Sequence, residues 1–440
     1  MLGPSLIARP VMAAPRLIAG QYVRSASTSQ KGAKKKPTVD RTQSTAFMKK
    51  GDREKRVRSG TTTSVNMASA NPLYYAAVPK PQLVTLDAKT AKESHIDTVM
   101  EIDSRFLDGI GSGCYPGYLG NDFKLFGKPA LLYRKFTHDL LDQIAKNAKQ
   151  APKRASVLNG RDGAGKSAEL LKAASVAASS GHIVIYAHSA VTWVNSSRPY
   201  APQSGTNMFT QPELATELLR SVSLVSGNAL ARVPLGKEIA LGKKKSLDAT
   251  KTLADLVNVG LQTPSLAHIV LENLLEVAST QTKVPVLLAI DEVNSLWCNT
   301  LYRDQSDNIL PANRLRLINT MLPFFEGKQT LAKGWVLGAS SYSDLRFMPK
   351  DLNKRLNPPA MIPLANAELS KDLVAFPPTE LPFDVIPMGT ISAIETWALM
   401  HFYHRTKVIA SPITKAIAGK RWLAASGNPR RIFAGVTSYF

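Results

Sequence analysis

The 440-residue sequence has little cysteine, no long apolar run and no zinc-binding pattern, and each absence excludes a class of protein. Two cysteines, Cys114 and Cys298, are too few for the disulfide framework of a small secreted domain. No apolar run approaches the roughly 20 residues that a transmembrane helix needs, so we expect none. No Asn-Lys-x-Asp motif, which reads guanine in small GTPases, occurs. The length instead allows two or three globular domains.

Acidic residues are absent from the first 39 positions, where Arg9, Arg16 and Arg24 stand among Ala, Leu, Ile and Ser. This composition is typical of a mitochondrial transit peptide. Prolines and arginines interrupt the apolar core that a secretory signal would need. We predict a transit peptide over residues 1–26 and a location in the mitochondrial matrix.

Positive charge is concentrated at the same end of the chain. Residues 1–60 contain 14 Lys and Arg but 3 Asp and Glu, so they carry half of the net charge of +22. With few apolar residues, the segment 27–80 is predicted to be an extended basic arm. It is interpreted either as an arm that binds a nucleic-acid backbone or as a solvated linker. A second basic segment is the surface insert at 243–245.

Residues 160–167 match the phosphate-loop pattern G-x-x-x-x-G-K-[ST] in full. Its backbone N–H groups surround a polyphosphate, its lysine adds positive charge and its hydroxyl holds Mg²⁺. The loop follows a β-type run and precedes a strong helix former, as this motif requires. The predicted nucleotide-binding residues of the loop are Gly160, Asp162, Gly163, Ala164, Gly165, Lys166 and Ser167. We expect GTP/GDP or ATP/ADP with Mg²⁺ as cofactors.

Strand patterns alternate with helix patterns after the loop. Short apolar runs predict strands at 155–159, 182–187, 284–290 and 334–339. Helices are predicted near 168–174, 213–224, 266–278 and 314–325. This alternation favours an α/β fold with a parallel sheet and helices on both faces. We predict a P-loop domain over 81–385 and a C-terminal helical lid over 386–440.

The buried strand at 284–290 ends in Asp291 and Glu292. A carboxylate delivered beside a phosphate loop is the Walker B arrangement, which predicts that Asp291 and Ser167 hold Mg²⁺. Glu292 is then a candidate catalytic base for an attacking water, although geometry decides that role. The alternative for this pair is a strand that ends in a solvated turn.

Three further segments have weaker signals. The run Gly-Asn-Pro-Arg at 427–430 is similar to the lid motif of AAA+ and related signalling ATPases, in which an arginine, here Arg430, reaches the phosphates. The alternative is a helix-entry turn with surface arginines. Ser340 or Ser341 could sense a γ-phosphate or form a turn. The Gly-, Tyr- and Phe-rich segment 110–127 is predicted to be an ordered loop, and its sequence indicates no particular chemistry.

The run Asp-Glu-Val-Asn-Ser-Leu-Trp at 291–297, joined to the phosphate loop and the predicted transit peptide, resembles the death-associated protein three family. The resemblance covers residues 80–440. It implies an AAA+-like (or STAND-like) P-loop domain with a bound purine nucleotide, and the family is described as GTP-binding. It also implies a place in the head of the mitochondrial small ribosomal subunit, with intersubunit contacts and, in animal members, a link to apoptosis.

Two functions follow as competing hypotheses. In the first, the chain is a structural constituent of the mitochondrial small ribosomal subunit, and it contacts rRNA and neighbouring proteins while its nucleotide rigidifies the core. In the second, it is an active mitochondrial P-loop NTPase or a nucleotide-dependent switch outside the ribosome. The sequence leaves slow hydrolysis by Glu292 open, with Arg430 stabilising charge in the transition state.

Overall fold

The structure is a computed structural model that describes residues 81–111, 114–242, 246–357 and 381–437. The chain divides into two compact units, Met1–Thr62 and Thr63–Phe440, and every described residue belongs to the second. The predicted transit peptide, the predicted basic arm and the insert at 243–245 lie outside the described residues. Within the described part, no helix is both long and apolar enough to cross a membrane.

A five-stranded parallel sheet forms the centre of this unit. In chain order, its strands are Ser156–Asn159 (β1), Ile183–Ala187 (β2), Val286–Asp291 (β3), Gly334–Ala339 (β4) and Asp384–Pro387 (β5). Their order across the sheet is β5-β1-β4-β3-β2. In the register, Ala289 of β3 pairs with Leu337 on one side and with Tyr186 on the other. All carboxyl ends therefore lie along one edge, where ligands bind in such sheets.

The helices and the smaller strands of the described residues surround this sheet. The α-helices are Ser104–Ile110, Gly117–Phe126, Lys135–Asn147, Lys166–Ser179, Val191–Val194, Pro212–Leu230, Leu253–Gln262, Ala267–Thr280, Arg316–Phe325, Lys350–Leu356, Ala393–Arg405, Lys415–Ala425 and Pro429–Thr437. One three-stranded sheet consists of Thr85–Leu86, Thr98–Ile102 and Ala130–Tyr133. Two-stranded pairs join Ala201–Pro202 to Phe209–Thr210, Ile239–Ala240 to Ser246–Leu247, and Asn299–Arg303 to Ile309–Pro311.

Alternating side chains of the strands enter two cores, one on each face of the sheet. Ile185 belongs to the core that contains the apolar face of helix Pro212–Leu230. The adjacent Val184 belongs to the opposite core, with the helix Lys166–Ser179 that follows the phosphate loop. The β-branched and leucine-rich strands are buried because helices cover both faces. The α/β class, the parallel sheet and the helices on both faces are thus confirmed.

The four predicted strands and the four predicted helices all occur, with bounds shifted by a few residues. The edge strand β5 is not among the predictions. It pairs in parallel with β1, and Val385 lies opposite Val157. The short run between Pro382 and Pro387 gives little strand signal because proline cannot donate to a ladder.

Three helices, Ala393–Arg405, Lys415–Ala425 and Pro429–Thr437, form the predicted C-terminal helical region, which we call the lid. The prediction of a loop over 110–127 is wrong for most of its length, since Gly117–Phe126 is a helix. Phe126 stacks on Tyr403 of the lid, with ring centroids 5.4 Å apart. Because this packing partner is nearly 280 positions away, no local pattern indicates the helix.

Candidate functional site

The segment between β1 and helix Lys166–Ser179 is a tight loop that depends on glycine conformations. Gly163 (φ 75°) and Gly165 (φ 102°) have left-handed backbones, which side-chain-bearing residues rarely adopt. Gly165 is also the N-cap residue of the helix. The loop therefore ends at a helix N-terminus, where free N–H groups and the helix dipole attract anions.

Neighbouring groups leave no room for a side chain at Gly160 or Gly163. A Cβ atom on Gly160 would collide with the main-chain carbonyl of Met388, just after β5. A Cβ atom on Gly163 would lie 2.7 Å from Oδ1 of Asn428 and 2.9 Å from Cβ of Arg430. The loop is thus packed between the end of β5 and the start of the last lid helix.

The ammonium group of Lys166 is folded onto its own loop. Nζ donates to the carbonyl oxygen of Gly160 at 2.7 Å and to that of Arg161 at 3.0 Å. It also lies 5.4 Å from the ring centroid of Tyr342. Burial lowers the pKa of Lys166, while Asp162 and Asp291 oppose this shift. An anion in the loop would give this buried cation a better partner than two neutral carbonyl groups.

Asp291 ends β3 beside the first helical turn after the loop. The residue is 2% exposed, and its carboxylate accepts hydrogen bonds from the backbone N–H of Glu292 at 2.8 Å and from the hydroxyl of Ser167. Burial raises the pKa of Asp291 to about 7, the Ser167 bond opposes this shift and the Glu292 charge adds to it. A divalent cation here would favour the charged carboxylate.

The carboxylate and hydroxyl oxygens of Asp291 and Ser167 fit Mg²⁺, which prefers oxygen ligands and keeps several waters and phosphate oxygens. No group of three or more His, Cys, Asp or Glu in the described ranges could hold a metal without such help. The site therefore suits a cation that arrives with a polyphosphate. These residues are the two that the sequence predicted as its metal ligands.

Glu292 occupies an unusual backbone conformation and its carboxylate is engaged. Its φ of 56° lies in the left-handed region, which is uncommon for a residue with a side chain. The hydroxyl of Ser189, two residues after β2, donates to its Oε2, and the backbone N–H of Val191 donates as well. Burial raises the pKa of Glu292, and these two bonds oppose the shift. The predicted catalytic base is thus held toward β2 by two donors.

The lid contacts the phosphate loop through the predicted Gly-Asn-Pro-Arg turn. Nδ2 of Asn428 donates to the main-chain carbonyl of Asp162 at 2.7 Å. Arg430 approaches the Asp162 carboxylate at 3.4 Å, and its guanidinium lies 5.5 Å from the ring centroid of Tyr118. Arg430 therefore lies beside the loop in the cavity wall.

A cavity of about 800 Å³ opens at this edge of the sheet and is lined by the loop, the ends of β2, β3 and β4, helix Gly117–Phe126 and the lid. It is large enough for a nucleotide. The structure brings these predicted site residues to its wall: Asp162, Gly163, Ala164, Gly165, Lys166, Ser167, Asp291, Glu292 and Arg430. Gly160 does not line the cavity and lies instead against the main chain of Met388.

The cavity has a polar end and an apolar end. The polar end consists of the loop, Asp291 and the serines that follow β2 and β4, namely Ser189, Ser340, Ser341 and Ser343. Phe126, Leu399, Phe402 and Phe433 line the other part, between helix Gly117–Phe126 and the lid. This part of the cavity therefore suits an apolar or aromatic group.

A buried ion-pair network that the sequence does not predict includes three residues of the cavity wall, Arg134, Glu169 and Lys172. Arg134 is 7% exposed; its Nε donates to Glu395 at 2.8 Å and its Nη2 to the carbonyl of Thr390 at 3.0 Å. Lys172 donates to Glu169 at 2.9 Å, and the hydroxyl of Thr137 donates to the same carboxylate. No local sequence signal could reveal the first pair, because its members are 261 positions apart.

Fold and site together define an α/β protein with a glycine loop at the carboxyl edge of a parallel sheet and a helical lid on that loop. The chain belongs to the mitochondrial ribosomal death-associated protein 3 family, whose model matches residues 131–435. The match includes all five strands of the central sheet and most of the lid. Membership confirms the family resemblance and the mitochondrial matrix localisation predicted from the sequence.

Several proteins named small ribosomal subunit protein mS29 are similar to this chain. The Schizosaccharomyces pombe protein is 25% identical over 320 residues, which cover 72% of this chain and 66% of the relative. The Mus musculus protein is 24% identical over 262 residues, 58% of this chain and 66% of the relative. The Neurospora crassa protein is 20% identical over 378 residues, which cover 80% of this chain and 76% of the relative. The chain spans just under two thirds of the length of the first two of these relatives.

Proposed function

We propose that this chain is a structural constituent of the mitochondrial small ribosomal subunit and holds a purine nucleotide with Mg²⁺ in its phosphate loop. The ribosomal part is supported by family membership and by the names of the similar proteins. The predicted basic arm and the insert at 243–245 would contact rRNA phosphates and neighbouring proteins, including proteins across the subunit interface.

The observation that carries the nucleotide part is the joint lining of one cavity by the phosphate loop, Ser167 and Asp291. The strand order supports an AAA+-like P-loop domain, because β1 and β3 flank β4 and present the loop and Asp291 at one edge. The loop N–H groups would bind the phosphates, and Lys166 would leave its two carbonyl partners to neutralise their charge. Bound Mg²⁺ would bridge phosphate oxygens and offset their negative charge.

A nucleotide held in this way stabilises the fold without being hydrolysed. A ligand that binds only the folded state adds about 2.7 kcal/mol of stability at 100 times its Kd. Since Asn428 and Arg430 reach the loop from the lid, occupancy of the loop would also favour lid docking. The two hydrogen bonds that hold the Glu292 carboxylate toward β2 favour slow turnover.

A second candidate function is an active NTPase that acts outside the ribosome. It is favoured by one observation: Glu292 directly follows Asp291 and lines the same cavity. Steady-state turnover of the purified full chain separates the two functions. A rate well above background that Glu292→Gln abolishes would make the nucleotide a substrate.

Sedimentation of the tagged full chain from a mitochondrial lysate tests the ribosomal part. We expect the chain to co-sediment with the small subunit and to remain there after a moderate salt wash. Its absence from that peak would overturn the ribosomal assignment, whatever the chain binds.

A further inference from the structure

Helix Gly117–Phe126 lies along the cavity and presents one of its sides to it. Tyr118, Asp122 and Phe126 follow one another at intervals of four residues, so they lie on the same side of the helix, and all three line the cavity. With a rise of about 1.5 Å per residue, these positions span about 12 Å along the helix axis. The cavity wall therefore contains a row of three side chains: a phenol, a carboxylate and a phenyl ring.

The two ends of this row lie at the two ends of the cavity. The ring of Tyr118 is 5.5 Å from the guanidinium of Arg430, which contacts the phosphate loop. At the apolar end, Phe126 stacks on Tyr403 of the lid, with ring centroids 5.4 Å apart. Asp122 lies one helical turn from each, and its charge acts on both Arg430 and Tyr403. The carboxylate therefore stands between the phosphate loop and the aromatic side chains.

The carboxylate of Asp122 is accessible from the cavity and is not used by the fold. Asp122 is half-buried, and it makes no hydrogen bond and no ion pair within the described part of the chain. Its oxygens retain accessible surface, unlike the buried unpaired Nη1 of Arg134. Burial raises the pKa of Asp122 to about 6, and Arg430 opposes this shift, so the group is charged at neutral pH. Water can hydrate it in the free chain, and a donor on a ligand would replace that water.

We infer that Asp122 accepts hydrogen bonds from the ribose 2′- and 3′-hydroxyl groups of the nucleotide. The inference rests on the proposed nucleotide function and adds to it a residue that recognises the sugar. In every nucleotide the ribose joins the phosphates to the base. A ligand with its phosphates on the loop and its base at the apolar end therefore brings its sugar to the middle of the row.

The chemistry of the carboxylate agrees with this position. An ionised carboxylate can only accept hydrogen bonds, and phosphate oxygens offer it no donor, whereas each ribose hydroxyl does. Carboxylates hold a ribose hydroxyl in this way in dinucleotide-binding folds. Asp122 would thus favour ribonucleotides over ligands that lack the two hydroxyl groups.

The test combines Asp122→Ala with a sugar that lacks both hydroxyl groups. Titration of the full chain in Mg²⁺ compares GTP with 2′,3′-dideoxy-GTP, and ATP with 2′,3′-dideoxy-ATP. The wild type should bind the ribonucleotide about 10–100-fold more tightly than its dideoxy analogue, as for loss of hydrogen bonds to a charged group. Asp122→Ala should bind both members of a pair with nearly equal affinity. Loss of the negative charge changes the affinity for both triphosphates alike, so the ratio within a pair isolates the sugar contact.

Asp139→Ala is the matched control, because Asp139 is an exposed helical aspartate that does not line the cavity. This variant should keep the wild-type ratio. Thermal unfolding of ligand-free Asp122→Ala should show no loss of stability, because the carboxylate has no partner in the described fold. A marked loss would assign Asp122 a structural role and overturn the inference.

The affinities themselves give the other decisive outcomes. A wild type that binds the two sugars equally, or an Asp122→Ala variant that keeps the wild-type ratio, would overturn the inference. A wild-type chain that binds neither the ribonucleotides nor inorganic tripolyphosphate would instead refute the proposed nucleotide site itself.

Discussion

The side-chain amide of Asn428 donates a hydrogen bond of 2.7 Å to the main-chain carbonyl of Asp162, across 266 positions of sequence. Through this contact the lid holds the phosphate loop in its conformation. The lid in turn leaves no room for a side chain at Gly163, since a Cβ atom there would meet Asn428 and Arg430. Lid docking and loop geometry are therefore coupled before any ligand binds.

Gly163→Ala tests this coupling, with Gly205→Ala as its control. Both glycines have nearly the same φ, 75° and 76°, but nothing lies within 4 Å of a Cβ atom on Gly205. We expect Gly205→Ala to cost on the order of 1 kcal/mol through backbone strain alone. Gly163→Ala should cost a further ~1–3 kcal/mol, because the new methyl group overpacks the lid contact.

Urea unfolding of the two glycine variants gives the comparison. Equal losses of unfolding free energy would show that the lid does not crowd the loop. A larger loss in Gly163→Ala should be accompanied by faster hydrogen exchange in the lid helices.

Glu395→Gln should loosen the lid, because it leaves the buried Arg134 cation without its counter-charge. Breaking one side of a buried pair costs about 3–5 kcal/mol, and the retained amide oxygen reduces this to about 2–4 kcal/mol. The control is Asp139→Asn, which breaks an exposed pair with Lys135 and should leave stability nearly unchanged. Thermal unfolding measures both, and similar costs for the two variants would contradict a structural role for the buried pair.

The four strands and the loop were predictable because their signals are local. Apolar runs such as 284–290 are short, continuous and bounded by polar residues, and the phosphate-loop pattern fixes its own spacing. Helix Gly117–Phe126 was not predictable, since Gly117, Tyr118 and Gly120 are weak helix formers and its stability comes from lid aromatics such as Tyr403. The buried ion pair of Arg134 was not predictable for the same reason, because its partner Glu395 lies far along the chain.

Asp291 predicts a pH dependence of stability in the protein without nucleotide and Mg²⁺. Burial raises its pKa in the folded state to about 7, above the value of about 3.9 in an unfolded chain. The folded state therefore binds more protons between these values. This contribution to stability is complete below pH 4, is lost as pH rises through 7, and amounts to at most about 4 kcal/mol.

Asp291→Asn should remove this pH dependence and stabilise the ligand-free protein above pH 7. It should also abolish the enhancement of nucleotide binding by Mg²⁺, since the amide carries no charge to hold the cation. Chemical denaturation from pH 5 to 8 and nucleotide titrations with Mg²⁺ or EDTA provide the two readouts. If the unfolding free energy of the variant keeps the wild-type dependence on pH, Asp291 is not the source of that dependence.

Lys166→Met should weaken triphosphate binding about 10–100-fold, because a charge-assisted bond to phosphate is lost. Lys237→Met is the control, since Lys237 forms an exposed pair with Glu276 away from the cavity. Calorimetric titration of both variants measures the difference. Equal affinities would place the nucleotide elsewhere than in the loop.

The nucleotide content of the purified full chain tests the central claim most directly. Protein is isolated in Mg²⁺, denatured, and its released nucleotides are separated and counted per mole of chain. We predict about one purine nucleotide per wild-type chain and a large loss from Lys166→Met, with Lys237→Met unchanged. Equal nucleotide content in the wild type and Lys166→Met, or none in the wild type even after incubation with GTP and ATP, would contradict the proposal that Gly160–Ser167 is a nucleotide-binding site.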